Sequence, residues 1–148
     1  MRQINKPLLI GIGLFIVLGM FRDFVFVNWN YQLDYVQNNR PFSYAHTYFS
    51  FLDSWTGKQV YIGKWVLTGI FTLFCFLIAY VLLPNTYRTW LIKIYALSIL
   101  VAGALFLSNQ IGFSKGYVLS REIMGFLQSP LPFIILYFSK YLSQKKPN

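Results

Sequence analysis

Residues 58–83 read KQVYIGKWVLTGIFTLFCFLIAYVLL, an apolar run interrupted only by polar groups near its start and by two threonines. A bilayer's hydrocarbon core is about 30 Å thick and takes roughly 20 helical residues to cross, so this stretch predicts a transmembrane helix. Thr56, Gly57, Lys58 and Gln59 at its head fit a capping box. The Thr oxygen would accept from an orphan amide while the Gln reaches back to the N-cap amide. Pro84 then ends the helix, because it can neither donate nor tolerate the preceding turn.

Three further stretches lie on either side. The first covers residues 7–27, PLLIGIGLFIVLGMFRDFVFV. Arg2 and Lys6 before it look like the basic start of a signal peptide, but no small-residue cleavage pattern follows Phe21, so an uncleaved anchor is expected. The third covers residues 88–108, with Asn85 or Thr86 as its expected cap. Only PNTYR separates it from the second, which predicts an antiparallel hairpin. Ser98, Ala102, Gly103 and Ala104 give it a small-residue surface for close helix contact, with Asn109 and Gln110 at its end.

The fourth stretch covers residues 120–141 and contains Gln128, Ser129, Pro130 and Pro132. Each proline removes a backbone donor and crowds the carbonyl four residues back, so a kink is expected with Phe126 and Gln128 carbonyls freed. Gln128 and Ser129 are placed to satisfy such groups locally.

Composition agrees with a membrane protein. Of 148 residues, 56% are hydrophobic and 11% charged, whereas a soluble domain averages about 25% charged. The net charge of +9 is a property shared with nucleic-acid binders. The basic residues are instead scattered singly between apolar runs, as flanks of membrane spans are. The expected class is an all-α integral membrane four-helix bundle forming a single domain over residues 1–148, in contact with lipid and with no nucleic-acid partner.

Alternate segments set the direction. One side holds Arg2, Lys6, Arg88, Lys93, Lys140, Lys145 and Lys146 and no acid. The other holds Arg22, Arg40, Lys58, Lys64, Lys115 and Arg121 together with Asp23, Asp34, Asp53 and Glu122. Both termini are therefore expected in the cytoplasm.

The connection over residues 28–57 is rich in aromatics. Tyr44, Tyr48, Phe51, Leu52 and Trp55 recur near helical spacing, which with Trp29 predicts an interfacial surface, carried either on a short amphipathic helix or on an ordinary loop.

Two charged pairs stand apart, Arg22 with Asp23 and Arg121 with Glu122. Residues 7–21 reach only about 22 Å at 1.5 Å each, so Arg22 and Asp23 fall in or at the edge of the outer leaflet. Neighbours on a helix are about 100° apart and do not face each other. Asp23 near a helix C-terminus and Arg121 near an N-terminus both sit against the dipole. An Asp23–Arg121 pair between the first and fourth spans, with Arg22 and Glu122 nearby, is thus expected. Headgroup-solvated charges and a substrate or proton path are the other readings.

Chemistry is sparse. Cys75 is the only cysteine and His46 the only histidine, which excludes an intrachain disulfide, a cysteine metal cluster and a pair of haem histidines. The two differ in membrane depth, so no Cys–His couple is expected. No catalytic residue, metal or cofactor is expected.

RDFVFVNWNYQLDYV from residue 22, KWVLTGIFTLFCFLIAYVLL from residue 64 and SREIMGFLQSPLPFIILYF from residue 120 together resemble the small four-span bacterial membrane proteins known as exosortase F system-associated proteins. The resemblance covers most of the chain in layout and rests on Arg22, Asp23, Arg121 and the QSP sequence at 128–130. It implies a bacterial inner-membrane accessory role without catalytic residues. The expected function is a noncatalytic accessory or scaffold subunit of a larger assembly, with other membrane subunits as partners, serving protein export or sorting. The alternatives are a small oligomeric transporter or channel using the outer-leaflet charges, and a lipid-binding protein using the aromatic outer connection.

Overall fold

In a computed structural model, which describes residues 6–41 and 47–144, the chain is all-helical. Among the described residues the helices are α1 (Lys6–Asn38), α2 (Gly57–Leu82), α3 (Asn85–Gln110), α4 (Gly116–Leu127) and α5 (Leu131–Gln144), with a 3-10 turn at Ser50–Leu52. Three helices are long and apolar enough to cross a membrane, or four spans if α4 and α5 count as one bent pair.

Their surfaces say which solvent they face. Only 11% of the most apolar window of α1 is buried, and Val17, Met20, Val81 and Leu100 are among the many large apolar side chains turned outward. Water would make such a surface unstable, whereas hydrocarbon makes it neutral. The chain is a membrane protein with transmembrane helices.

α1 is longer than its hydropathy implied. Its 33 residues span about 50 Å, and residues 28–38, expected in the connection, are helical. Loss of hydropathy at Asn28 does not stop a helix, because no glycine or proline intervenes before residue 39. What stops it is Asn39, in the left-handed conformation at φ 49°. The Arg40 amide then donates back to the Tyr35 carbonyl at 3.2 Å, the closing bond of a Schellman motif with Asn at the position glycine usually takes. The end of α3 closes the same way. Gly112 has φ 104°, and the Phe113 amide donates to Ser108 O at 3.1 Å.

α2 begins as expected. Thr56 Oγ1 accepts from the Gln59 amide at 3.4 Å while Gln59 Oε1 accepts from the Thr56 amide at 2.7 Å. Replacing Thr56 with Ala should lower stability by about 0.5–2 kcal/mol, read as an earlier unfolding midpoint in detergent; Lys58→Ala, exposed in the same turn, should leave it in place.

α3 follows after only Leu83 and Pro84. Neither Asn85 nor Thr86 caps it, since the helix already starts at Asn85 and Pro84 occupies the cap position without a side-chain bond. The stabilised end is the preceding one. Arg88 Nε donates to the Tyr80 and Leu83 carbonyls at 2.9 and 3.2 Å, placing a cation at the negative end of α2.

Phe15, Cys75, Ala79, Leu91, Tyr95, Leu127 and Phe133 belong to a core that draws on all five helices. Of the small residues expected to pack on α3, Ala102 is buried but Gly103 and Ala104 are exposed. The close approach occurs one turn later, where Gly116 of α4 sits against the Leu105 carbonyl.

Candidate functional site

Between α4 and α5 the backbone turns by 54°, at Gln128, Ser129 and Pro130. A helix broken in hydrocarbon leaves carbonyls without amides, and each needs another donor. Here Leu127 O accepts from Tyr95 OH of α3 at 2.7 Å and Gln128 O from Cys75 Sγ of α2 at 3.4 Å, while Phe126 O keeps a backbone amide donor, that of Ser129 at 3.1 Å, and also accepts from Ser129 Oγ at 2.7 Å. The Gln128 side chain in turn donates through Nε2 to Thr68 O and Thr72 Oγ1 of α2 at 2.9 and 3.0 Å. The Pro130 carbonyl opens α5 by accepting from the Ile134 amide at 2.9 Å, and Pro132 is fully buried in that first turn.

Local satisfaction by Ser129 is readable from the sequence, whereas Gln128, expected to act locally too, reaches across to α2. The bonds of Cys75 and Tyr95 are not readable there: each is a polar donor in an apolar run whose acceptor lies 53 and 32 residues away respectively.

Beside the break lies a cleft of about 390 Å³ lined by Arg22, Asp23, Lys64, Arg121 and Gln128, with Phe26 and Met124 at its apolar margin. Three of the four expected charges thus meet, though not as expected. Arg22 binds its own neighbour, Nη2 and Nε lying 2.7 and 3.0 Å from one Asp23 oxygen. The angular separation of adjacent residues is overcome by the length of the arginine, whose fork wraps round to the carboxylate. Among the described residues, no ion pair joins Asp23 to Arg121.

Glu122 lines a different groove, between α3 and α4, with Leu97, Ser98 and Phe126. It is one residue on from Arg121 and so faces about 100° away. Lys64, an ordinary flank in the sequence, takes its place in the cleft. The result is three cations against one carboxylate.

No family model, curated protein or solved structure matches the chain.

The aromatic connection differs from the expected interfacial surface. The described part holds one 3-10 turn, not an amphipathic helix, and Tyr44 lies outside the described residues. Trp29 and Leu52 are 5% and 0% exposed and form a second core with Leu33 and Val60. Two side-chain amides on the extension of α1 hold the segment extended. Gln32 exchanges a pair of 3.0 Å bonds with the Phe49 backbone, and Asn28 accepts from the Thr47 amide at 2.7 Å. Trp29 Nε1 donates to Val60 O at 2.9 Å, and Trp55 meets the Trp29 ring edge-on. Both indoles crowd Gly63, where a Cβ would fall 2.7 Å from each. Tyr48 and Phe51 remain exposed, the Tyr48 hydroxyl bonding to Asp53.

Among the described residues, no three of His, Cys, Asp and Glu come together.

Proposed function

We propose that this chain is a noncatalytic scaffold subunit of a larger assembly in the bacterial cytoplasmic membrane. In this reading the helices form a four-span bundle, α4 and α5 crossing as one kinked span, with both termini in the cytoplasm. The observation that supports it most is where the intramembrane polar groups are spent. Tyr95, Cys75, Gln128 and Thr72 hold the broken helix to its neighbours, while broad apolar faces of α1 and α3 are left for lateral contact. The resemblance to exosortase F system-associated proteins directs the proposal toward export or sorting at the outer face.

Native mass measurement after mild detergent extraction tests the partnership. A second polypeptide in fixed ratio is expected; a chain that always runs as its own monomer, under conditions that keep other membrane complexes whole, would end the scaffold reading. Orientation has its own test. Ser50→Cys in a Cys75→Ser background should react with an impermeant thiol reagent on intact cells, and labelling only after lysis would invert the topology.

A transporter or channel is the second reading, favoured by one observation: Gln128 belongs both to the helix break and to the charged cleft. Transport sites join discontinuous helices to charges in this way. Flux through reconstituted protein, abolished by Asp23→Asn in a folded variant, would favour it over the scaffold.

A further inference from the structure

The cleft between α1, α2 and α4 carries more positive charge than the protein itself balances. Asp23 is already engaged by Arg22. Among the described residues, neither the Lys64 nor the Arg121 side chain has a hydrogen bond or ion pair, although Arg121 is near enough for its charge to act on Lys64. Two like charges on packed helices repel, and the repulsion is stronger where water is scarce.

The depth of the cleft indicates what relieves it. Lys64 is immediately followed on α2 by residues 65–82, which carry no charge and reach about 27 Å, close to one hydrocarbon thickness. On α1, Arg22 and Asp23 interrupt an apolar stretch that resumes at Phe24 and runs to Val27. Lys64 thus falls at about the edge of the hydrocarbon, and the side chains of Arg22 and Arg121 line the same cleft, within reach of lipid phosphates. Phe26 and Met124 border the cleft and offer apolar surface to an acyl chain leaving the same headgroup.

We propose that this cleft binds a phosphate group, the guanidinium of Arg121 and the ammonium of Lys64 contacting its oxygens while Arg22 stays bridged to Asp23. Arginine supplies a planar fork for two phosphate oxygens and lysine a point charge for a third. The phosphate can come from an anionic phospholipid or from a phosphate-bearing solute.

Full-length protein in phosphatidylcholine nanodiscs, alone or with phosphatidic acid, separates the two sources when inorganic phosphate is titrated into the lipid-only sample. Retention of phosphatidic acid on the purified protein and the thermal midpoint are read together. Wild type is expected to retain the acidic lipid, or to be stabilised by inorganic phosphate, and the Lys64→Gln, Arg121→Gln double variant to bind at least about tenfold more weakly. Lys115→Gln, an exposed cation outside the cleft, should bind as wild type. Asp23→Asn moves the opposite way, because removing the carboxylate frees Arg22 for the ligand, and retention should rise several-fold. This variant keeps the test decisive if the double variant fails to fold. Equal loss in Lys115→Gln, weaker binding in Asp23→Asn, or no preference of wild type for either phosphate source over phosphatidylcholine would overturn the proposal.

Discussion

Gly116→Ala should be among the most damaging single-methyl changes in the molecule, lowering stability by about 2–3 kcal/mol. A Cβ there would overlap the Leu105 carbonyl oxygen and lie 2.6 Å from Ser108 Oγ and 3.1 Å from the Asn109 amide. A crowding side chain can rotate away, but a backbone carbonyl inside a helix cannot without breaking its own bonds. α4 must instead draw back from α3, opening a gap along the contact that positions Leu127, Gln128 and the break. Gly13→Ala supplies the comparison, since nothing lies within 4 Å of a Cβ at that position, and helix propensity alone should leave it neutral or more stable by up to about 1 kcal/mol. Unfolding midpoints in mixed micelles decide between them. If the two variants melt together, the close approach of α3 and α4 is not present in the protein.

Tyr95→Phe removes one oxygen and nothing else, and should cost about 1–3 kcal/mol. The hydroxyl is the donor to Leu127 O, a carbonyl whose helical partner is lost to the break, in a residue with 0% exposure. Phenylalanine fills the same space, so the loss is that of an unsatisfied acceptor and not of packing. Tyr61→Phe, on the exposed side of α2, should be silent. Pairing Tyr95→Phe with Cys75→Ala should cost less than the separate losses combined or more, but not their simple total, because both donors hold consecutive carbonyls of one break. Strict additivity in a double-mutant cycle would show that the two bonds act on separate elements.

The elements most readable in the sequence were those decided locally. Thr56 and Gln59 mark the start of α2 through bonds within one turn and Pro84 its end by having no amide to donate, and the structure has α2 at Gly57–Leu82. Hydropathy misled at the end of α1, because it measures affinity for lipid and not the persistence of a helix. Asn39 carried the true stop signal, hidden among the polar residues 37–40. In the aromatic connection the sequence left a short helix and an ordinary loop open, and the described part is the loop with one 3-10 turn. Its spacing is compatible with a helix, and only the amides of Asn28 and Gln32, assigned to the far side of a span boundary, show why it is extended. At the charged site, residue types pointed to a cluster at one depth, yet could not reveal that Lys64 enters it and Glu122 leaves it, since that depends on how three helices are rotated about their axes.

The broken helix also has a bearing on how the molecule is made. Ribosomes deliver α2 and α3 before α4 and α5, so the donors Cys75 and Tyr95, and the Thr68 carbonyl that the Gln128 side chain donates to, are already in place when the carbonyls of Leu127 and Gln128 emerge. Those carbonyls have no acceptable refuge in bare lipid. Biogenesis should therefore be ordered, the final segment remaining near the translocation channel until the earlier hairpin is there to receive it.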